Sequence, residues 1–156
     1  HWEMDCIVGK RGERGATLLV LTERSTRQEI IRKMPDKTQA SVKKEIDKLE
    51  RKYGKNFSKR FKTVTVDNGS EFLNSTELEA SILNPKNKRF RLYYAHPYSS
   101  WERGSNENAN KLIRRFIPKG TDIGKFTHRE IQRIEHWINN YPRRIFGYRT
   151  ANEMAA

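Results

Sequence analysis

The spacing of the apolar residues changes once along this chain, and that change constrains the fold more than any other feature. Residues 2–8, 17–23 and 29–34 are runs of strand length, and the Gly-rich residues 9–16 predict a turn between the first two. Because the connections between these runs are short, they predict three strands in an antiparallel meander.

From residue 42 onward the spacing becomes helical. Thr38 is placed as an N-cap and Gly54 as a stop for a helix whose apolar stripe is Val42, Ile46, Leu49 and Tyr53. The lysines and arginines on the other faces of this helix favour a solvated surface over a DNA contact.

Strands and helices alternate in the rest of the chain. Strands are predicted at residues 61–66 and 89–95, and helices at about 75–83, 105–116 and 127–140. The last helix has an apolar stripe of Ile131, Ile134, Trp137 and Ile138. We therefore predict a single α/β domain over residues 1–156, with one mixed sheet and helices packed on both of its faces.

The charge of the chain indicates the class of its partner. The 32 lysines and arginines exceed the 19 aspartates and glutamates, which gives a net charge of +13. Such an excess in a small domain favours a polyanion, most often nucleic acid, over a merely soluble basic surface.

No apolar run is long enough to span a membrane, no secretory signal is recognised, and the single Cys6 excludes an internal disulfide. We therefore expect a cytoplasmic protein.

Two glutamates lie close together in SSWERGSNENANKL, residues 99–112, and the question is which of them, if either, is catalytic. At about 100° per residue, Glu107 shares a polar helix face with Lys111 and Arg114. The opposite face is apolar and consists of Ala109, Leu112, Ile113 and Phe116. Glu102 falls towards the buried side, and Gly104 separates it from the helix. A glutamate on an exposed helix face is usually only solvated, but Glu107 is favoured over Glu102.

Two aspartates strengthen the case for Glu107. Asp5 lies inside an apolar strand, where carboxylates are depleted, although it could simply face outward. Asp67 precedes Asn68-Gly69, which is ordinary turn chemistry, but strand ends in α/β sheets are also where ligand-binding groups collect. If Asp5, Asp67 and Glu107 converge, their carboxylates could hold the divalent metal ions that activate a nucleophile and stabilise the leaving oxygen in phosphodiester cleavage.

Three segments carry a resemblance to a known family. WEMDC, TVDNGSEF and HPYSSWERGSNENANKLIRR look like the signature segments of the Asp-Asp-Glu transposase and retroviral-type integrase core. Together with NNYPRRIFGYRTANE near the end, they most resemble the IS-thirty family of bacterial insertion-sequence transposases. The resemblance covers nearly the whole chain, from Trp2 to about Met154.

The resemblance implies site residues, a cofactor and a fold. Asp5, Asp67 and Glu107 match the catalytic and metal-binding triad. The implied cofactor is Mg²⁺, with about two ions per active site and Mn²⁺ able to substitute, and the implied fold is ribonuclease H-like. Asn110, Lys111 and Arg114 match the helix face that contacts DNA near the reacting end. Apart from the resemblance, DNA contacts are also expected at Arg115, Tyr98, Trp101 and Arg103.

The resemblance also implies an activity and partners. The expected reactions are Mg²⁺-dependent hydrolysis at transposon ends and transfer of the 3′-hydroxyl strand into target DNA. The expected partner is double-stranded DNA, both terminal inverted repeats and target, bound by a homodimer or higher multimer in the bacterial nucleoid. Family members carry an N-terminal helix-turn-helix region, and none precedes His1, so we expect an isolated catalytic core.

Other functions remain open at the level of the sequence. A retroelement or phage-type integrase core would share the triad. A non-catalytic basic DNA-binding module explains the charge but not the carboxylates, and a cellular ribonuclease H-like nuclease explains the triad but not WERGSNENANKL. Tyr98 and Trp101 could stack on a splayed base or pack under a loop, and Arg143 and Arg144 could contact phosphate or cap the last helix.

Overall fold

A computed structural model describes residues 1–96 and 104–156, which form a five-stranded mixed sheet with helices on both faces. The strands are β1 (Trp2–Gly9), β2 (Gly12–Glu23), β3 (Glu29–Met34), β4 (Thr63–Val66) and β5 (Arg91–Tyr94). The helices are α1 (Gln39–Tyr53), α2 (Phe57–Arg60), α3 (Ser75–Glu79), α4 (Gly104–Phe116), α5 (His128–Asn139) and α6 (Ala151–Ala155).

The strand order across the sheet is β3-β2-β1-β4-β5. Strands β1, β2 and β3 pair antiparallel, which confirms the predicted meander, and β4 pairs parallel with both β1 and β5. The prediction of a turn over residues 9–16 is wrong, because β2 already begins at Gly12 and pairs there with Gly9. Gly12 has φ +60°, a conformation that glycine adopts at little cost. The chain can therefore reverse direction between β1 and β2 within the few residues around Gly12.

The two faces of β2 explain why helices cover both sides of the sheet. Leu19 and Leu21 belong to a buried cluster with Val42, Ile46 and Leu49 of α1. Leu18 and Val20 point the other way and belong to a second cluster, with Ile113 of α4 and a line of isoleucines on α5, Ile131, Ile134 and Ile138. Successive side chains of a strand face opposite sides, so one apolar strand contributes to both cores.

The predicted helix ends agree with the structure for α1 and differ for α3. Thr38 caps α1 by accepting a hydrogen bond from the Ser41 amide at 3.2 Å, and Gly54 follows the last residue of the helix. The helix predicted at 75–83 ends instead at Glu79, because Ala80 forms a β-bridge with Lys88 and the backbone there is extended. The short helices α2 and α6 were not predicted.

Two aromatic residues were placed wrongly in buried stripes. Trp137 is 40% exposed and Phe116 is 36% exposed. The line of α5 that faces the sheet passes through the isoleucines, so Trp137 lies beside it, where its ring packs edge-on against Phe116 with centroids 4.9 Å apart. No helix among residues 1–96 and 104–156 is long and apolar enough to cross a membrane.

Candidate active site

Of the two aspartates singled out in the sequence, Asp5 lies in β1 and Asp67 directly follows the neighbouring parallel strand β4. β1 and β4 are in register with Trp2 beside Val64 and Glu3 beside Thr65. Continuing that register by two residues places Asp5 opposite Asp67, just beyond the end of β4. Residues opposite each other in adjacent strands point to the same side, at a strand spacing of about 4.8 Å. The sheet therefore brings these two carboxylates together.

Each aspartate is oriented by a neighbouring backbone N–H group. The Cys6 amide donates to Asp5 Oδ1 at 2.9 Å, and the Gly69 amide donates to Asp67 Oδ1 at 2.8 Å. The second bond forms an Asx-turn, the local geometry that the Asp-Asn-Gly sequence favours. The turn that explains Asp67 in structural terms thus also orients its carboxylate.

Helix α4 reaches this pair through Asn110. The Nδ2 group of Asn110 donates to Asp5 Oδ2 at 3.2 Å, and the Oδ1 atom of Asn110 is buried without a hydrogen-bond partner. Glu107 lies on the same helix almost one turn earlier, with its side chain exposed. Within residues 1–96 and 104–156, no three His, Cys, Asp or Glu side chains form a group that could hold a metal ion. The convergence of Glu107 on the two aspartates therefore stays a prediction.

Glu71 is a further acidic residue near the two aspartates, and the sequence pattern did not reveal it. Its carboxylate is only 1% exposed and folds back over Gly69, so closely that a Cβ on Gly69 would lie 2.5 Å from Oε2. The Nζ atom of Lys37 lies 3.7 Å from Oε1, whereas Oε2 is buried without a hydrogen-bond partner. The position of Glu71 within DNGSEF, four residues after Asp67, was the only available signal, and that spacing does not reveal the direction of the side chain.

The charges of these groups affect one another. Burial raises the pKa of the Glu71 carboxyl, Asp67 and Asp5 also act to raise it, and Lys37 acts in the opposite direction. Burial likewise raises the pKa of the Cys6 thiol, and Glu71 and Asp5 add to that effect. A raised pKa disfavours the thiolate, which is the nucleophilic form, and Cys6 is a half-buried residue of β1.

The cations predicted on α4 differ in their surroundings. Lys111 is exposed, whereas the half-buried Arg114 donates to the carbonyl oxygens of Val8 at 3.1 Å and Ile117 at 3.3 Å. Burial lowers the pKa of Arg114. Arg115 lies over the ring of Tyr141, 5.6 Å from its centroid. Arg114 therefore ties α4 to β1, and Lys111 is the cation whose ammonium group is turned to solvent.

Four residues named from the sequence lie outside the described residues: Tyr98, Trp101, Glu102 and Arg103. Their expected roles stay predictions.

The donor atoms at the site fit a hard divalent cation. Asp5 and Asp67 supply carboxylate oxygens, and Asn110, which bonds to Asp5, has a buried Oδ1 atom without a hydrogen-bond partner. Mg²⁺ prefers oxygen ligands of this kind and keeps several waters, so it needs few protein ligands.

Among known proteins, the chain is similar to transposases of bacterial insertion sequences. The chain is 40% identical over 151 residues, 97% of its length, to the transposase for insertion sequence element IS4351 of Bacteroides fragilis. It is 33% identical over 153 residues, 98% of its length, to a probable transposase for insertion-like sequence element IS1161 of Streptococcus salivarius. It is 32% identical over 154 residues, 99% of its length, to the transposase InsI for insertion sequence element IS30C of Escherichia coli K12.

The resemblance to IS30-type transposases is supported. The chain spans only 43%, 40% and 37% of the lengths of these three relatives. No family model matches the chain. The similarity to the IS30-type proteins runs through the segments of Asp5, Asp67, Glu107 and Asn110, because the aligned part is almost the whole chain.

Proposed function

We propose that this chain is the catalytic core of a DNA transposase with a ribonuclease H-like fold. The proposal rests on the register of β1 and β4, which continues to Asp5 opposite Asp67 just beyond the end of β4, and on the hydrogen bond from Asn110 of α4 to Asp5. The strand order, with an antiparallel meander followed by two parallel strands, agrees with such a fold. Relatives named as transposases over nearly the whole chain support the same conclusion.

The residues that would hold Mg²⁺ are Asp5, Asp67 and Glu107. When bound, the metal supplies Lewis-acid stabilisation of the attacking and leaving oxygens of a phosphodiester. The protein's own contribution is to fix the ligands: backbone amides orient both aspartates, and Asn110 holds the second oxygen of Asp5. Lys111, exposed on the same helix as Glu107, is placed to attract a phosphate without competing for the metal.

The proposed reaction has two steps of one kind. In the first, the oxygen of a water molecule bonds to phosphorus at the end of the element, and the 3′ oxygen leaves as a hydroxyl. In the second, that 3′-hydroxyl oxygen bonds to phosphorus in the target DNA and displaces another 3′ oxygen. Both steps need a nucleophile and a leaving group aligned in a polyanion, which suits a basic protein that carries a cluster of carboxylates. We call Asp5, Asp67 and Glu107 the carboxylate centre.

The test is strand cleavage by the full-length protein on duplexes that carry the ends of its element, with Mg²⁺ or Mn²⁺. Asp5→Asn, Asp67→Asn and Glu107→Gln should each lower the cleavage rate by about 100-fold or more, because each removes a metal ligand. The matched control is Glu130→Gln, since glutamine can replace glutamate in the capping box that Glu130 forms with Thr127. Near-normal cleavage by any of the three variants would remove that residue from the triad.

A further inference from the structure

A cleft of about 410 Å³ lies between α4 and the segment that follows α5. Asn108 and Lys111 line it from α4, Arg143 and Arg144 line it from the segment after α5, and Arg27 lines it from the connection between β2 and β3. We call it the basic cleft. It begins on the helix that carries Glu107, whose neighbour Asn108 lines it. At about 100° per residue, its α4 residues lie on the other side of Glu107 from Asn110.

The charge of the basic cleft is one-sided. Its cationic side chains are Arg27, Lys111, Arg115, Arg143 and Arg144, and in the described part of the chain no carboxylate lines it. Burial lowers the pKa of Arg143, Arg27 adds to that effect, and Glu29 opposes it. However, burial raises the pKa of Glu29 well above its ordinary value, which weakens it as a counter-charge. Like charges held together in this way favour the binding of an anion.

The donor groups of Arg143 point to the same conclusion. Its Nε and Nη2 atoms are buried and have no hydrogen-bond partner. Burying such donors without a partner is unfavourable, and an anion that reached them would supply an acceptor.

The backbone that shapes the cleft is unusual. Among the described residues, the non-glycine residues with positive φ are Arg27 at 61° and Tyr148 at 68°, and both line the cleft. Tyr148 is held there by hydrogen bonds, since its amide donates to the Arg143 carbonyl at 2.8 Å and Arg143 pairs with Arg149. The turn leaves the ring of Tyr148 69% exposed at the mouth of the cleft. Strained residues of this kind concentrate at binding sites.

We propose that the basic cleft binds the sugar–phosphate backbone of double-stranded DNA where the duplex passes Glu107 of α4. The inference rests on the proposed transposase function and extends it to residues outside α4. The cleft contacts phosphates and therefore holds DNA without reading its sequence. The cationic side chains of Arg27 and Arg144 contribute contacts in addition to Lys111.

The test is a salt titration of binding by the 156-residue chain to duplex DNA, between about 50 and 200 mM salt. The double variant Arg27→Gln/Arg144→Gln removes two charges from the cleft. The matched control is Lys44→Gln/Arg51→Gln, which removes the same two charges from exposed positions of α1. Each phosphate contact contributes a slope of about −0.9, so the fall in affinity over this range should be about tenfold smaller for the cleft variant than for the parent. The control should keep the parent's slope.

Three results would overturn the proposal. One is an equal loss of affinity in the cleft variant and the control, which would assign the effect to net charge. Another is an unchanged slope in the cleft variant, and the third is a loss confined to single-stranded DNA of the same length. If Arg27→Gln unfolds the chain, Arg144→Glu at its exposed position gives the same test alone. Asp5→Asn separates the two proposals, because it should keep the parent's DNA binding while it abolishes cleavage.

Discussion

Asn110 and Asp5 are 105 positions apart in the chain, yet the side-chain amide of Asn110 donates to Asp5 Oδ2 at 3.2 Å. This hydrogen bond joins α4 to the central strand of the sheet at the carboxylate centre. The other oxygen of Asp5 accepts from the Cys6 amide, so the carboxylate is held from both ends.

Asn110→Ala should lower the cleavage rate of the full-length protein by about 10- to 100-fold and weaken its apparent affinity for Mg²⁺, because an oriented ligand loses its partner. The rate should recover partly at high Mg²⁺, which a purely structural role would not produce. Asn56→Ala, which removes an exposed amide before α2, is the control. A normal Mg²⁺ dependence in Asn110→Ala would show that Asn110 does not position Asp5.

Glu107 and Glu102 should differ sharply on substitution by glutamine. Glu107→Gln should abolish cleavage in the full-length protein, whereas Glu102→Gln should cause a much smaller loss. The reason is that Glu107 shares the polar face of α4 with Asn110, which already contacts Asp5. Cleavage rates of both variants in the same assay decide the matter, and the opposite order would transfer the catalytic role to Glu102.

Gly69→Ala should disturb the site through Glu71. The backbone of Gly69 has φ −60°, which alanine adopts without strain, so the effect must come from the new Cβ and its 2.5 Å approach to Glu71 Oε2. We expect a loss of roughly 1–3 kcal/mol in the free energy of unfolding, together with slower cleavage.

The double variant Gly69→Ala/Glu71→Ala makes this prediction specific. Removing the Glu71 carboxylate removes the clash, so thermal or denaturant unfolding should show that the two substitutions together cost less than their sum. Strict additivity would mean that the contact between Gly69 and Glu71 is not the cause.

Substitution of Lys111 should affect DNA binding, whereas substitution of Arg114 should affect the stability of the fold. The sequence predicts that both side chains contact DNA. Replacing both should then make the slope of log affinity against log salt concentration shallower, by the contribution of up to about two phosphate contacts. In the structure, Arg114 donates to the carbonyl oxygens of Val8 and Ile117, so we expect only Lys111 to contact a phosphate. Lys111→Ala should make the salt slope shallower by the contribution of about one phosphate contact. Arg114→Ala should instead lower the free energy of unfolding by roughly 1–3 kcal/mol.

Salt titrations and denaturant unfolding of both single variants measure these effects. A salt slope that changes as much in Arg114→Ala as in Lys111→Ala, without loss of stability, would make Arg114 a DNA contact, as the sequence predicts.

The sequence by itself determined the local elements of this protein. Local elements depend on residues that are close together in the sequence, so they can be predicted from it. Examples are the strand runs at 2–8 and 29–34, the cap at Thr38 and the amphipathic helix around Glu107. Asp5 and Asp67 were also found this way, because a carboxylate inside an apolar strand and one at a strand end both stand out locally.

Only the tertiary structure decided which distant groups meet and where each side chain points. The pairing of β1 with β4 sets Asp5 opposite Asp67, and the packing of α4 on the sheet sets Asn110 on Asp5 and Arg114 on Val8. The sequence pattern likewise did not predict that the Glu71 carboxylate folds back over Gly69 or that Trp137 is exposed. The physical reason is that periodicity reports which face of an element is apolar, whereas rotamers, strand register and the fit between packed elements depend on residues far away in the chain.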